Sequence, residues 1–197
     1  MCIRDRLAAR PGSGGITAPT ARSAPAVSHR VIASSAIALA GCEAAAARRF
    51  DHVVRHDRRL DGPVSDAASE IVGTLRRGPP GIYLWGGETT LRLPPDPGRG
   101  GRCQQLALCC ALELAGRAGL AVLCGATDGS DGPGDDAGAL VDDRTIARGE
   151  AEGLSGAACL AAADAGRFLA AAGDLISTGP TGTNVNDLVV GLRAAAG

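Results

Sequence analysis

The chain has 197 residues, long enough for one domain with an ordinary core. It is 45% hydrophobic but only 2% aromatic, so that core must be built from Ala, Leu, Val and Ile, and a net charge of −1 gives no attraction to nucleic acid or an anionic membrane. All twenty basic residues are arginine; lysine, a common point charge in phosphoryl-transfer sites, is absent.

Residues 1–27 are rich in Ala, Pro, Ser, Gly, Thr and Arg without periodicity, and read as a disordered leader or a non-native extension. From His29 an α/β rhythm begins. The pattern predicts a strand over His29 to Ala33, an alanine-rich helix over Ser35 to Arg49, a strand over Asp51 to Arg55 and a helix over Val64 to Arg76. Arg77-Gly78-Pro79-Pro80-Gly81 is the clearest boundary in the chain. Beyond it come a strand over Ile82 to Trp85, a Gly86-Gly87 turn and a second strand over Thr89 to Leu93. A long helix over Arg102 to Arg117 follows, then a buried strand over Leu120 to Cys124 and a short one over Ala139 to Val141. Helices near Asp143 to Glu150 and over Ser155 to Ala172 precede a short strand, Asp174 to Ser177. The chain then enters the loop Thr178 to Asp187 and a terminal helix from Leu188 to Ala196, with Asn186 or Asp187 as its N-cap.

The seven cysteines include no CxxC pair and no Cys/His ligand spacing, which fits a reducing, cytoplasmic compartment. Leu39-Ala40-Gly41-Cys42 imitates a lipoprotein cleavage box, but it starts too far from the N-terminus and continues as helix. No run approaches the ~20 apolar residues of a membrane-spanning helix.

Four polar glycine segments fall at strand ends or helix starts: Gly86 to Thr90, Gly98 to Arg102, Thr127 to Pro133 and Thr178 to Asp187. In an α/β sheet such loops gather where ligands bind, which predicts one convergent site. Arg99 and Arg102 flank a glycine pair at a helix start, where guanidinium forks and free amides suit a carboxylate or phosphate. Asp128, Asp131, Asp135 and Asp136 offer hard oxygen ligands of the kind that suit Mg²⁺ bridged to phosphates. His52 and His56 have the i,i+4 spacing of a helical metal pair, but they sit in a strand pattern that separates them. Neither nucleotide fingerprint, P-loop or GxGxxG, is present, and there is no GxSxG elbow.

Gly86-Gly87-Glu88-Thr89-Thr90, Gly98-Arg99-Gly100-Gly101-Arg102, Thr127-Asp128-Gly129 with Asp131-Gly132-Pro133, Ala137-Gly138-Ala139 and Thr178 through Leu188, in this order, resemble the C-terminal (MOFRL) domain of the glycerate 2-kinase family, also labelled hydroxypyruvate reductase. The resemblance implies a three-layer α/β/α domain with a mixed sheet over residues 80–190. It also implies that residues 28–77 are the end of a preceding Rossmann-like domain, so that the chain is a member truncated at its N-terminus. The implied activity is transfer of the ATP γ-phosphoryl group to the 2-hydroxyl of D-glycerate, with ATP and Mg²⁺, in a cleft between two domains.

By the same resemblance Glu88, Arg102 and Asp128 are catalytic, with Arg102 on a phosphate or the glycerate carboxylate and Glu88 orienting it. Arg99, Thr181, Thr183, Asn184 and Asn186 bind substrate, and Asp128 and Asp131 serve the metal. Three departures from the family pattern lead to the expectation that this chain alone has little activity. Cys103-Gln104-Gln105 replaces Asn-Gln-Glu, and Ala163-Asp164-Ala165-Gly166 replaces an Asn-Asp-Ser-Tyr element. The family's essential lysine lies in the domain not represented, to be supplied by a full-length protein. The competing readings are an NAD(P)H-dependent hydroxypyruvate reductase and a non-catalytic remnant that binds a small anion.

Overall fold

In the computed structural model, which describes residues 28–195, the strands are β1 (Val53–Arg55), β2 (Gly81–Gly87), β3 (Leu120–Ala126), β4 (Gly138–Asp142), β5 (Leu175–Ile176) and β6 (Asp187–Arg193). The helices are α1 (Ser35–Ala46), α2 (Val64–Arg77), α3 (Arg102–Leu114), α4 (Thr145–Ala151), α5 (Gly156–Ala161) and α6 (Ala165–Ala172). The leader expected over 1–27 lies outside the described residues. The six strands form one mixed sheet in the order β1-β2-β6-β3-β4-β5. β1 and β2 are parallel, and β6 is antiparallel to both of its neighbours, β2 and β3.

Helix α2 shows why one face of the sheet is covered as it is. Its apolar residues recur at helical spacing (Val64, Ala67, Ala68, Ile71, Val72, Leu75), and all are buried. They join α3, Trp85, Val122, Val141 and Phe168 in the main core, which also takes in residues of α4 to α6. On the opposite face α1 packs Leu39 against Ile82 and Leu84, with Leu188, Val190 and Leu192 beside them. Ser34 caps α1, its Oγ accepting from the Ile37 N–H at 3.2 Å. The result is the expected three-layer α/β/α arrangement around a mixed sheet. The stretch before Gly78 is built into that same body, with β1 at the sheet edge and α2 in the core.

Local expectations fail at four places. No helix follows Asp187; Leu188-Val189-Val190 is rich in β-branched residues and fills the gap between β2 and β3 as a central strand. A side chain at Gly191 would meet Leu75 and Trp85, so the strand lies tight on the core there. Gly86-Gly87 makes no turn. It ends β2 against the Leu60 backbone, and Thr89 to Leu93 forms only an isolated bridge, Pro63 to Thr90. The long helix expected over Ser155 to Ala172 breaks at Ala163, which has φ 50°. Finally, His29 to Ala33 forms no strand.

Candidate active site

Because β6 runs against β2 and β3, its amino end meets their carboxyl ends at one edge of the sheet. Asp187 is in register with Gly87 on one side and Ala126 on the other. The Gly100-Gly101-Arg102 start of α3 approaches the same point, and together these segments line a cleft of about 400 Å³. The terminal loop therefore reaches the site at the start of a strand, although the sequence pattern placed it before a helix. The ligand edge is unchanged, but the expected anion cradle of helix amides is not there.

Arg102 is the only cationic side chain in the cleft among the described residues. Its Nη1 lies 3.1 Å from Glu88 Oε1 and its Nη2 lies 3.6 Å from Asp187 Oδ2, while its Nε is buried without a partner. Asn186 donates from Nδ2 to Glu88 Oε2 at 2.9 Å from a left-handed backbone, φ 72°, that Asn adopts more readily than most residues. Asn184 donates from Nδ2 to Asp128 Oδ2 at 2.9 Å, and the Ser130 N–H donates to Asp128 Oδ1 at 3.2 Å. Thr127 ties the two loops together, giving its hydroxyl to the Asn186 carbonyl at 2.7 Å and accepting from the Val185 N–H at 2.8 Å.

Asp131 has a different employment. It is buried, and its two oxygens accept from the Cys103 and Gln104 amides at 3.0 and 2.7 Å. It thereby caps α3 from across the loop, occupying the amides that were expected to hold a ligand anion. Gly101 permits this approach, since a side chain there would collide with the Asp131 carboxylate. Burial pushes the Asp131 carboxyl up, against the lowering effect of the two amides and Arg102. Burial also pushes Asp187 up, to about 6; Arg102 opposes the shift while Asp131 and Glu88 add to it.

The structure thus brings Glu88, Arg102, Asp128, Asp131, Asn184 and Asn186 to one cleft. It leaves three of the expected residues outside that lining. Arg99 turns away, pairing its Nη2 with Asp136 Oδ2 at 2.7 Å, and Ser177 shares that carboxylate. Thr181 ties the loop to the neighbouring one, its hydroxyl donating to the Thr127 carbonyl and its amide to the Asp128 carbonyl. Thr183 belongs to the same turn, its N–H donating to Thr181 Oγ1. Sequence reasoning missed Asp187 and Thr127 as site residues. The signal for Asp187 was the β-branched run after it, which marks a strand whose first residue opens onto the ligand edge.

A family model described as the MOFRL family matches residues 81–187. The D-glycerate 2-kinase of Thermotoga maritima is 43% identical over 113 residues, covering 57% of this chain and 27% of that protein. A protein of Agrobacterium vitis, provisionally named a hydroxypyruvate reductase, is 38% identical over 170 residues, covering 81% of this chain and 44% of its own length. The crystal structure of glycerate kinase from Thermotoga maritima superposes with a TM-score of 0.78 at 32% identity, over 84% of this chain and 42% of that one. The chain therefore spans less than half the length of these relatives. With more than half of its residues inside the matched segment, the chain belongs to the MOFRL family.

Proposed function

We propose that this chain carries the acceptor-substrate wall of a glycerate 2-kinase, an enzyme that moves the ATP γ-phosphoryl group to the 2-hydroxyl of D-glycerate. The observation that carries the reading is the convergence of Glu88, Arg102, Asp128, Asn184, Asn186 and Asp187 on one cleft within the family-matched segment. Relatives named as glycerate kinases support it at the level of the family. In this reading Arg102, whose side chain is 40% exposed, meets the glycerate carboxylate. Glu88 fixes the guanidinium, with Asn186 fixing Glu88 in turn. Asp128 and Asn184 offer polar contacts to a hydroxyl.

The triphosphate and its metal fit this wall less well. ATP supplies the phosphoryl group, yet no P-loop is present and the cleft's single guanidinium is shared by two carboxylates. No group of three His, Cys, Asp or Glu side chains able to hold a metal occurs among the described residues. Asp131, one of the two expected magnesium ligands, spends both oxygens on helix amides, which leaves Asp128 as the other. The donor set does not make a magnesium site, and no step is derived through one. We accordingly expect the chain by itself to bind glycerate without turning it over.

Thermal unfolding with and without D-glycerate tests the reading. Glycerate is expected to raise the Tm, and Arg102→Ala to abolish the rise. No rise in Tm rejects the reading. Glycerate-dependent ADP release from ATP by the chain alone, lost in Arg102→Ala, would overturn the expected inactivity. Hydroxypyruvate-dependent NADH oxidation would replace the kinase reading with the reductase one.

A further inference from the structure

The four carboxylates of the cleft differ in how far their oxygens are already satisfied. Asp131 accepts from two backbone amides. Glu88 accepts from Asn186 and pairs with Arg102, and Asp128 accepts from Asn184 and the Ser130 amide. Asp187 alone accepts no N–H or O–H hydrogen bond among the described residues. Arg102 Nη2 stands at 3.6 Å from it, too far for a hydrogen bond, and its hydrogen-bonding neighbour is the Cys103 thiol, a weak donor.

Asp187 is nevertheless 91% buried, with 9% of its surface exposed, at the centre of the ligand edge, and it opens onto the cleft. A buried ionised carboxylate has room for about four hydrogen bonds and is costly when they are unmade. Beyond that weak thiol the groups around it give it no close donor: Asp131 and Glu88 are acidic, and Arg102 is drawn to Glu88 at the shorter distance. A ligand that places a hydroxyl group there supplies the missing proton donor without bringing further negative charge to an acidic wall.

We propose that Asp187 is a specificity-determining residue whose carboxylate accepts a hydrogen bond from a hydroxyl group of the ligand, so that the cleft selects hydroxy acids over their deoxy analogues. This rests on the glycerate reading given above and adds to it which side chain reads the hydroxyl. Buried hydrogen bonds to a charged group discriminate strongly, because the analogue without the hydroxyl leaves the carboxylate unpaired.

Amide NMR titrations of the ¹⁵N-labelled chain with D-glycerate, 3-hydroxypropionate (no 2-hydroxyl) and lactate (no 3-hydroxyl) test it. The wild type is expected to bind glycerate about ten- to a hundredfold more tightly than one of the two deoxy acids. Asp187→Asn is expected to lose at least about tenfold in glycerate affinity and most of that preference, with its amide spectrum showing that it is folded. Equal binding of all three acids by the wild type overturns the inference and leaves the glycerate reading standing. So does an unaltered preference in Asp187→Asn, or a preference lost instead in Asp128→Asn. Should Asp187→Asn fail to fold, the ¹³C resonance of the wild-type Asp187 carboxylate decides. It must move with glycerate and stay still with the weaker deoxy acid. Absence of any binding removes both readings together.

Discussion

Replacing Asp187 with Asn should make the protein more stable, and the gain should depend on pH in a defined way. Burial raises the Asp187 carboxyl from 3.8 to about 6 in the folded state, a shift of roughly two pH units. At ~1.4 kcal/mol per unit this corresponds to about 3 kcal/mol. The folded chain holds the proton more tightly than the unfolded chain between those two values, so stability from this group is present below pH 4. It is lost as pH rises through 6, where the carboxylate ionises in place. Asp187→Asn keeps the shape and never ionises. Urea unfolding can be followed by the fluorescence of Trp85, the chain's single tryptophan, which is wholly buried. At pH 7.5 the variant should exceed the wild type by about 2–3 kcal/mol, and the two should converge near pH 4. A variant no more stable at pH 7.5, or a difference that ignores pH, would refute the reasoning. A residue whose removal stabilises the fold while weakening ligand binding is retained for the ligand.

Two further predictions concern the frame around the cleft. Asp131→Ala removes the acceptor of the Cys103 and Gln104 amides and should lower stability by about 1–2 kcal/mol, read as a lower urea midpoint; an unchanged midpoint rejects the capping role. Gly87→Ala drives a methyl group into the Leu60 carbonyl and should cost about 2 kcal/mol or more. Gly41→Ala, in α1 with nothing within 4 Å, should instead stabilise by about 0.5–1 kcal/mol. Thermal unfolding of the pair separates the tight glycine from the permissive one, and shifts of the same sign would show that close approach is not what holds Gly87.

Much of this arrangement was legible in the sequence, because it depends on local patterns. The 3.6-residue period of Val64 to Leu75 gave α2, and the clustering of four polar glycine segments gave the site. What was not legible depends on partners distant in sequence. Leu188 to Leu192 is a strand because β2 and β3 each present an edge to it from more than 60 residues away. Asp131 became a cap because Gly101 lets the 127–133 loop press onto α3, and no local signal for that exists at either residue. Arg99 left the cleft for the same kind of reason. Asp136 waits for its side chain, and Asp164, at the break between α5 and α6, accepts its backbone N–H at 2.7 Å.

Charge explains why these residues suit a hydroxyl better than a phosphate. One guanidinium faces Glu88, Asp128, Asp131 and Asp187 in the cleft, so an incoming polyanion meets a wall whose formal charge is negative. Arg102 cannot fully compensate a triphosphate while it holds Glu88 at 3.1 Å, and breaking that pair would leave the negative charge of Glu88, held only by Asn186, beside the ligand. A small hydroxy acid asks less of the wall. Its single carboxylate can share Arg102, and a hydroxyl turned toward Asp187 donates a hydrogen bond to a carboxylate that lacks one. On the proposed reading, the acidity that makes this wall a poor phosphate cradle is the property that would let it discriminate between glycerate and its deoxy analogues.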